Sequence, residues 1–267
     1  MIRAVVNSEY RHITIFVGID LAWQSDKNHT GAAAFEGDED GVVLRELSSG
    51  LSTLGGVHEF IRAHESSETV VAVDAPLIIN NETGQRPCEK MVTKQFGGRH
   101  AGAHPSNRSL YPDAGSVKLA LALEQTSYTH CSPGQGPRRD GRWFCEVYPH
   151  PAHVVLFNRS RIIKYKRGLV AQRRLGLMEL QREIERRIFG PSSPFKLDSS
   201  MASFLHTDLW GLRGRELKHH EDLLDSILCA YIAFHMWSWA WQKNKMLGDL
   251  DSGYIVIPTT ELPSAVQ

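Results

Sequence analysis

Five acidic side chains stand in stretches of sequence that otherwise have the composition of a protein core. Asp20 lies in an apolar strand, Asp74 ends a second one, and Glu146 lies within a third. Asp222 and Asp225 open an apolar helix near the end of the chain. Burying a lone ionised carboxylate costs free energy. The pattern therefore predicts that these elements meet around divalent cations.

Phosphodiester hydrolysis is the chemistry that such a carboxylate cluster suits. Carboxylates held about 4 Å apart repel one another by about 4 kcal/mol per pair at an effective dielectric constant near 20. Two cations roughly 3.5–4 Å apart offset that repulsion, activate a water and stabilise the leaving oxygen. Mg²⁺ or Mn²⁺ fits, because carboxylate oxygens are hard ligands. We expect Asp20, Asp74 and Asp225 to bind the metal, with Asp222 or Glu146 completing the catalytic set.

The first third of the chain predicts the elements that carry the first two acids. Apolar runs bounded by turn residues predict three meandering strands at 13–23, 30–35 and 42–47. Apolar residues at helical spacing predict a helix at 54–64, and a fourth strand follows at 69–75. A meander, a helix and a further strand are therefore expected in this order.

The rest of the chain predicts a long insertion and then the remaining elements. The stretch from about 78 to 142 is rich in Gly, Pro, Ser, His and Arg, and it has one predicted helix near 117–123. Stretches this long without regular structure are uncommon unless they form functional loops or are disordered. After it we expect a fifth strand at 143–148, helices at 151–157, 169–189 and 221–241, and an edge strand at 253–257. Residues 13–258 are predicted to form one domain, with a lead-in at 1–12 and a C-terminal tail at 259–267.

This order of elements is that of the RNase H-like fold, an α/β fold whose mixed five-stranded sheet has the order 3-2-1-4-5 and flanking helices. The fourth strand would run parallel to the first, so that Asp20 and Asp74 project from strands about 4.8 Å apart. Gly18 in mid-strand indicates the close approach of another element. Asp222 and Asp225 would share one helix face, in the first turns where the helix dipole favours negative charge.

Six motifs resemble those of the uncharacterised-domain family numbered 429, which is described as predicted nucleases of RNase H-like fold. They extend over about residues 17–232 and are VGIDLAW, VAVDAPL, RPCE, EVYPHP, YK…QRRLGL and DLLDSILCAYIA. Each motif alone is weak, but their order and spacing together are specific. The resemblance implies a nuclease whose cleavage leaves a 3′-hydroxyl.

The D-x-x-D helix also resembles that of RuvC-type resolvases, in which two helix acids complete a four-carboxylate site. By position, the resemblance implies that Asp20 is the first-strand acid and Asp74 the fourth-strand acid. Asp222 and Asp225 correspond to the helix pair. Those enzymes usually have Glu where this chain has Asp74, whose reach is shorter. The resemblance therefore leaves open whether Asp74 or Glu146 is the second-strand ligand.

Positive charge is concentrated in the predicted helix at 169–189 and in the residues just before it. Such a region is either a phosphate-contacting surface or a solvated helix face laced with Glu. Lys166 and Arg174 fall in the family's basic motif and are the leading substrate contacts. Arg86 follows the second acid and is expected either to bind a scissile phosphate with its guanidinium or to form a loop salt bridge.

The overall composition disfavours several classes of protein. Thirty Lys and Arg balance thirty Asp and Glu, so no overall charge draws the chain to nucleic acid or acidic membranes. Four dispersed Cys match neither a zinc site nor a disulfide framework and fit a reduced cytoplasm. We expect no signal peptide, and the apolar run 223–241 contains Asp225, which favours a buried helix over a membrane span. Its tryptophans indicate core packing or a homodimer interface.

The leading hypothesis is therefore an Mg²⁺- or Mn²⁺-dependent nuclease whose partner is nucleic acid. An ATP-dependent phosphotransferase of the actin-like superfamily shares the meander and the first-strand Asp, but the chain has no D-x-G-G-[ST] phosphate loop. A non-catalytic nucleic-acid-binding module would explain the basic helix equally well. The choices between DNA and RNA, between duplex and single strand, and between endo- and exonuclease action stay open.

Overall fold

The computed structural model describes residues 12–23, 29–38, 40–137 and 139–260. The predicted lead-in and C-terminal tail therefore lie almost wholly outside the described residues. The described segments include every strand, helix and acidic residue on which the predicted site depends.

A six-stranded mixed sheet forms the centre of the fold. The first three strands form an antiparallel meander, and the other three run parallel to the first. Its strands are β1 (Thr14–Asp20), β2 (Thr30–Asp38), β3 (Gly41–Leu51), β4 (Glu68–Val73), β5 (Thr129–His130) and β6 (Arg142–Glu146). The order across the sheet is β3-β2-β1-β4-β6-β5. The sequence TVVAV in β4 is buried on both faces, as is usual for a parallel strand in the middle of a sheet.

The sheet differs from the prediction by one strand, since it has six strands and not five. The predicted first four strands and their order 3-2-1-4 are present, and the predicted fifth strand is β6. The additional strand, β5, pairs only Thr129 with Trp143 and His130 with Phe144. Two residues cannot show an alternating pattern, so the sequence gives no signal for this strand.

The described residues contain seven α-helices. They are α1 (Leu54–Ala63), α2 (Pro87–Phe96), α3 (Gly115–Gln125), α4 (Pro149–Leu156), α5 (Val170–Arg187), α6 (Ser199–Leu205) and α7 (Arg215–Trp239). Apolar residues of α5, α6 and α7 build the core on one face of the sheet, and those of α1 and α3 build it on the other. Helix α2 packs on a separate hairpin near the C-terminus and not on the central sheet. The N-terminus of α1 is capped by Thr53, whose hydroxyl accepts a hydrogen bond from the Gly56 N–H at 3.0 Å.

Two further strands form a hairpin outside the central sheet. They are β7 (Asn244–Asp249) and β8 (Gly253–Pro258), which pair antiparallel. The predicted edge strand at 253–257 is therefore part of this hairpin, and it meets the end of β6 only through a bridge between Val147 and Val256. The long insertion is also more regular than predicted, because it contains α2 as well as α3.

Helix α7 lies directly on the sheet and begins earlier than predicted, at Arg215. A Cβ at Gly18 would lie 2.0 Å from the Ser226 carbonyl oxygen, so only glycine permits this approach, as the mid-strand position indicated. Asp222 and Asp225 consequently lie beyond the second turn of the helix. The prediction that the helix dipole stabilises them is wrong, because that effect is confined to the first turn.

The same helix meets the criteria of length and hydropathy for a membrane span. Of its most apolar window, 61% is buried inside the protein. Trp237 and Trp241 at its C-terminal end pack against the core. This segment is therefore an interior helix of the fold, as the charged residue within it predicted.

Candidate active site

Four carboxylates meet where β1 and β4 end beneath α7. Asp20 is the last residue of β1, and Asp74 directly follows β4, where its N–H donates to the Ile19 carbonyl at 2.8 Å. Both side chains point to the face that α7 covers, because they alternate with Ile19 and Val73 on the opposite face. Helix α7 supplies Asp222 and Asp225, which are 3% and 0% exposed.

Asp225 is held by two donors from one loop. The Tyr165 hydroxyl donates to Oδ1 at 2.6 Å, and the Lys166 Nζ lies 2.8 Å from Oδ2. Burial alone would raise the pKa of Asp225, but the Lys166 ammonium and the Tyr165 hydroxyl outweigh it and hold the pKa below the usual value. Asp225 is therefore an ionised carboxylate whose charge is matched within the protein.

Asp222 and Asp225 each have a buried Oδ2 that receives no hydrogen bond from the described residues, but that of Asp225 lies beside the Lys166 ammonium. The Lys218 ammonium contacts Oδ1 of Asp222. The carboxyl group of Asp20 lies beside that of Asp222, and its charge opposes the ionisation of Asp222. Burial and the Asp20 charge raise the pKa of Asp222 to about 8.

The cluster as a whole has more negative than positive charge. Burial raises the pKa of Asp20 and of Asp74, and Lys166 only partly opposes it. The ammonium groups of Lys166 and Lys218 face four carboxylates. Two negative charges are thus left without a cation when all four acids are ionised.

The donor set suits a hard divalent cation. Within the described residues, no group of three or more His, Cys, Asp or Glu side chains is arranged so that it could hold a metal ion, and two lysines contact the helix acids. The unsatisfied Asp222 oxygen and the excess of carboxylate charge nevertheless fit a cation of the Mg²⁺ type, which keeps several water ligands. Asp20, Asp74 and Asp222 have carboxylate oxygens that are available to a cation, whereas the predicted ligand Asp225 forms an ion pair with Lys166.

Glu146 lies on the opposite side of the sheet from this cluster. It is paired with Val73 in the strand register, and its carboxylate accepts hydrogen bonds from Arg86 at 2.6 and 2.9 Å and from the Leu77 N–H at 2.9 Å. Of the two alternatives for the second acid, the structure brings Asp74 to the cluster. Arg86 is 1% exposed, so a contact with phosphate would require this ion pair to break.

A cavity of about 800 Å³ opens from the carboxylates to the surface. Its walls come from the loop after β4, the segment 100–104 of the insertion and the segment 162–168. Lys166 lines it with 30% of its side chain exposed. His150 also lines it and stays neutral, because burial and the Lys166 charge lower its pKa to about 3.

Of the predicted basic contacts, only Lys166 is at the carboxylates. Arg174 donates to the Leu212 carbonyl at 2.7 Å and covers the Trp210 ring at 5.4 Å, away from the cavity. The sequence analysis did not identify Tyr165 and Lys218. Lys218 lies four residues before Asp222, which is a sequence signal for an ion pair once the helix is known to begin at Arg215.

The comparisons with known proteins identify the family of this chain and no more specific relationship. The model of a family described as "Protein of unknown function (DUF429)" matches residues 18–240, which include all four carboxylates of the cluster. No curated protein and no solved structure matches the chain. Because the match covers most of the sequence, the chain belongs to the DUF429 family.

Proposed function

We propose that this protein is a divalent-metal-dependent nuclease of RNase H-like architecture. The observation that carries the proposal is the meeting of Asp20 and Asp74, from neighbouring parallel strands, with Asp222 from the helix above them. The antiparallel meander with a parallel fourth strand supports the architecture. A buried carboxylate cluster with two uncompensated charges is costly unless a cation joins it.

Asp20, Asp74 and Asp222 would hold the cation. When bound, such a cation supplies an activated water and stabilises the charge of the leaving oxygen in phosphodiester hydrolysis. Asp225 has a different role, because it fixes Lys166 at the edge of the cluster. These assignments keep the predicted residues and change which helix acid is the ligand.

Lys166 would bind the scissile phosphate. Burial would lower its pKa, but Asp225, Asp20 and Asp74 outweigh burial and keep the pKa well above the usual value. The ammonium is therefore charged at every working pH and is exposed toward the cavity. A phosphate oxygen placed beside it gains a charge-assisted hydrogen bond.

His150 would act as a neutral hydrogen-bonding group in the same cavity. Its Nδ1 lies 3.1 Å from the Tyr148 hydroxyl, which orients the ring. The low pKa of His150 keeps it in the neutral form throughout the physiological range.

The test combines metal binding with hydrolysis. Purified wild type and the variants Asp20→Asn and Asp74→Asn are melted with and without millimolar Mg²⁺ or Mn²⁺ and assayed on bis-p-nitrophenyl phosphate and on oligonucleotides. We expect a metal-induced rise in the melting temperature for wild type, as binding to the folded state requires, and its loss in both variants together with hydrolysis.

Asp113→Asn is the matched control, because Asp113 is exposed and lies outside the cluster. Its metal response and its activity should equal those of wild type. Hydrolysis that survives in purified Asp20→Asn and Asp74→Asn would rule the proposed mechanism out.

A further inference from the structure

A second, basic cavity lies beside the first. It has a volume of about 390 Å³ and is formed by the turn after α4 and the C-terminal half of α5. Four arginines line it, and we call it the arginine notch: Arg159, Arg161, Arg186 and Arg187.

The positive charge of the notch exceeds its negative charge. Glu183 accepts hydrogen bonds from Arg186 at 2.7 and 2.9 Å, and Arg159 lies 2.5 Å from Glu179. Arg187 is only loosely paired, at 3.8 Å from Glu183. Arg161 is exposed and forms no ion pair or hydrogen bond with any side chain that the structure describes. Four guanidinium groups thus face two carboxylates.

The backbone holds the notch in a fixed shape. Asn158 turns the chain out of α4 with a positive φ of 51°, and the Arg159 N–H donates to the Val154 carbonyl at 3.0 Å. Three residues later, the Ile162 N–H donates to the Arg99 carbonyl at 3.1 Å. The arginines between these two anchors are therefore presented on ordered backbone.

The notch and the active-site cavity are adjacent and have one wall residue in common. Ile162 lines both, and the chain then runs through Lys164 to Lys166 along the wall of the active-site cavity. The five steps from Arg161 to Lys166 span at most about 17 Å of extended chain. A series of cations consequently leads from the surface to the carboxylates.

We propose that the arginine notch binds backbone phosphates of a single-stranded nucleic acid and directs that strand into the active-site cavity. The inference rests on the proposed function, because it assigns the substrate class of the same site. Guanidinium groups suit this role, since their planar donors match phosphate oxygens and stay charged.

The depth of the site favours a single strand over a duplex. Asp20 and Asp74 line the cavity, whereas Asp222 and Asp225 are almost fully buried, so a phosphate approaches the cluster by entering the cavity. A cavity of about 800 Å³ has the size of pockets that enclose small ligands. One strand of a duplex would first have to separate from its partner to enter a cavity of this size, at a cost of a few kcal/mol, whereas a single strand avoids that cost.

The test measures metal-free binding of a fluorescent single-stranded oligothymidylate of about twenty nucleotides and of the matching duplex. In the double variant Arg161→Glu/Arg187→Glu, we expect the affinity for the single strand to fall on the order of tenfold or more. The slope of log K against log salt should flatten by about 1.4, at about 0.7 per lost phosphate contact. Wild type should bind the single strand more tightly than the duplex.

Arg182→Glu is the control, because it makes one Arg→Glu change, half the charge change of the double variant, on α5 outside the notch. Its binding should stay within about twofold of wild type. Equal losses in both variants, or no loss in the double variant, would overturn the inference. Hydrolysis of bis-p-nitrophenyl phosphate separates the two proposals: notch-dependent binding without any hydrolysis refutes only the nuclease, and hydrolysis without notch-dependent binding refutes only the notch.

Discussion

Two clusters of buried charged side chains border the active-site cavity, one on each face of the sheet. The first contains Asp20, Asp74, Asp222 and Asp225 beneath α7. The second contains Arg86 with two glutamates. Both clusters are buried and both join distant parts of the chain. They differ in how completely their oxygens are satisfied.

In the Arg86 cluster, every carboxylate oxygen has a donor. Arg86 donates to Glu146 through both terminal nitrogens and to Glu89 through Nε at 2.8 Å. Ser106 contributes its N–H at 3.1 Å and its hydroxyl to Glu89, and the Leu77 N–H completes Glu146. The cluster fastens the insertion to β6, and nothing in it is left for a ligand.

In the Asp cluster, the buried Oδ2 atoms of Asp222 and Asp225 receive no hydrogen bond from the described residues, and two charges have no cation when all four acids are ionised. A protein gains no stability from such an arrangement by itself, because unsatisfied buried polar groups cost about 1–3 kcal/mol. The contrast teaches that burial of acids does not identify a site. What distinguishes the candidate site is that its carboxylates have oxygen atoms and negative charge that no donor or cation of the protein satisfies.

The largest expected effect is on stability, from Arg86→Ala. Removing the guanidinium leaves Glu146 and Glu89 buried without their cation, which we expect to cost about 3–5 kcal/mol of the free energy of unfolding. Arg45→Ala, which breaks the more exposed pair with Glu36, should cost less than about 1 kcal/mol. Urea unfolding measures both. Equal costs for the two variants would show that the Arg86 cluster does not stabilise the fold.

A smaller loss is expected from Asp225→Asn. The change removes the ionised partner of Lys166 and weakens the bond from Tyr165, which should cost about 1–3 kcal/mol. Because the two residues act as a pair, the double variant Asp225→Asn/Lys166→Met should lose less than the sum of the single variants. A double-mutant cycle of unfolding free energies measures the coupling. If the losses of unfolding free energy in the two single variants simply add in the double variant, the two residues do not interact as an ion pair.

The smallest effect is expected at Asp222, and it depends on pH. Its pKa is raised from 3.8 to about 8 in the folded protein, so the folded state binds more protons between these values. The stabilising contribution of this proton is full below about pH 4 and is lost as the pH rises toward 8. In metal-free protein, Asp222→Asn should therefore stabilise the fold already at pH 6 and stabilise it more at pH 9, with a difference on the order of 1 kcal/mol between the two pH values.

Unfolding in urea with a chelator at both pH values measures this difference, with the exposed Asp251→Asn as the control. Metal competes with the same proton, so the rise in melting temperature caused by Mg²⁺ should be larger at pH 9 than at pH 6. If the rise in melting temperature caused by Mg²⁺ does not depend on pH, Asp222 is not a ligand of the cation.

Much of the fold was predictable because its strands and helices carry local patterns. Apolar runs predict the meander and β4, and apolar residues at helical spacing predict α1. The prediction of five strands was wrong because β5 has two residues, and β7 was missed because its sequence, NKMLGD, has no strand-like alternation. The start of α7 was misplaced because its first two turns are polar and charged, and tertiary packing outweighs that local signal.

The acids of the site were also predictable, since carboxylates in core-like sequence are conspicuous. Their partners were not. Whether Glu146 or Asp74 joins the cluster depends on strand register, which assigns the two side chains to opposite faces. That Lys166 reaches Asp225 depends on a contact across 59 positions of sequence, which no local pattern encodes.

The sequence by itself determined which residues are acidic, which segments are apolar, and therefore that some carboxylates must be buried. Only the tertiary structure decided which of them are satisfied. Gly18 allows α7 to touch β1, Lys166 and Lys218 reach the helix acids, and one oxygen of Asp222 is left without a donor. The reason is physical: apolar periodicity is a property of neighbouring residues, whereas charge compensation is a property of atoms that only folding brings together.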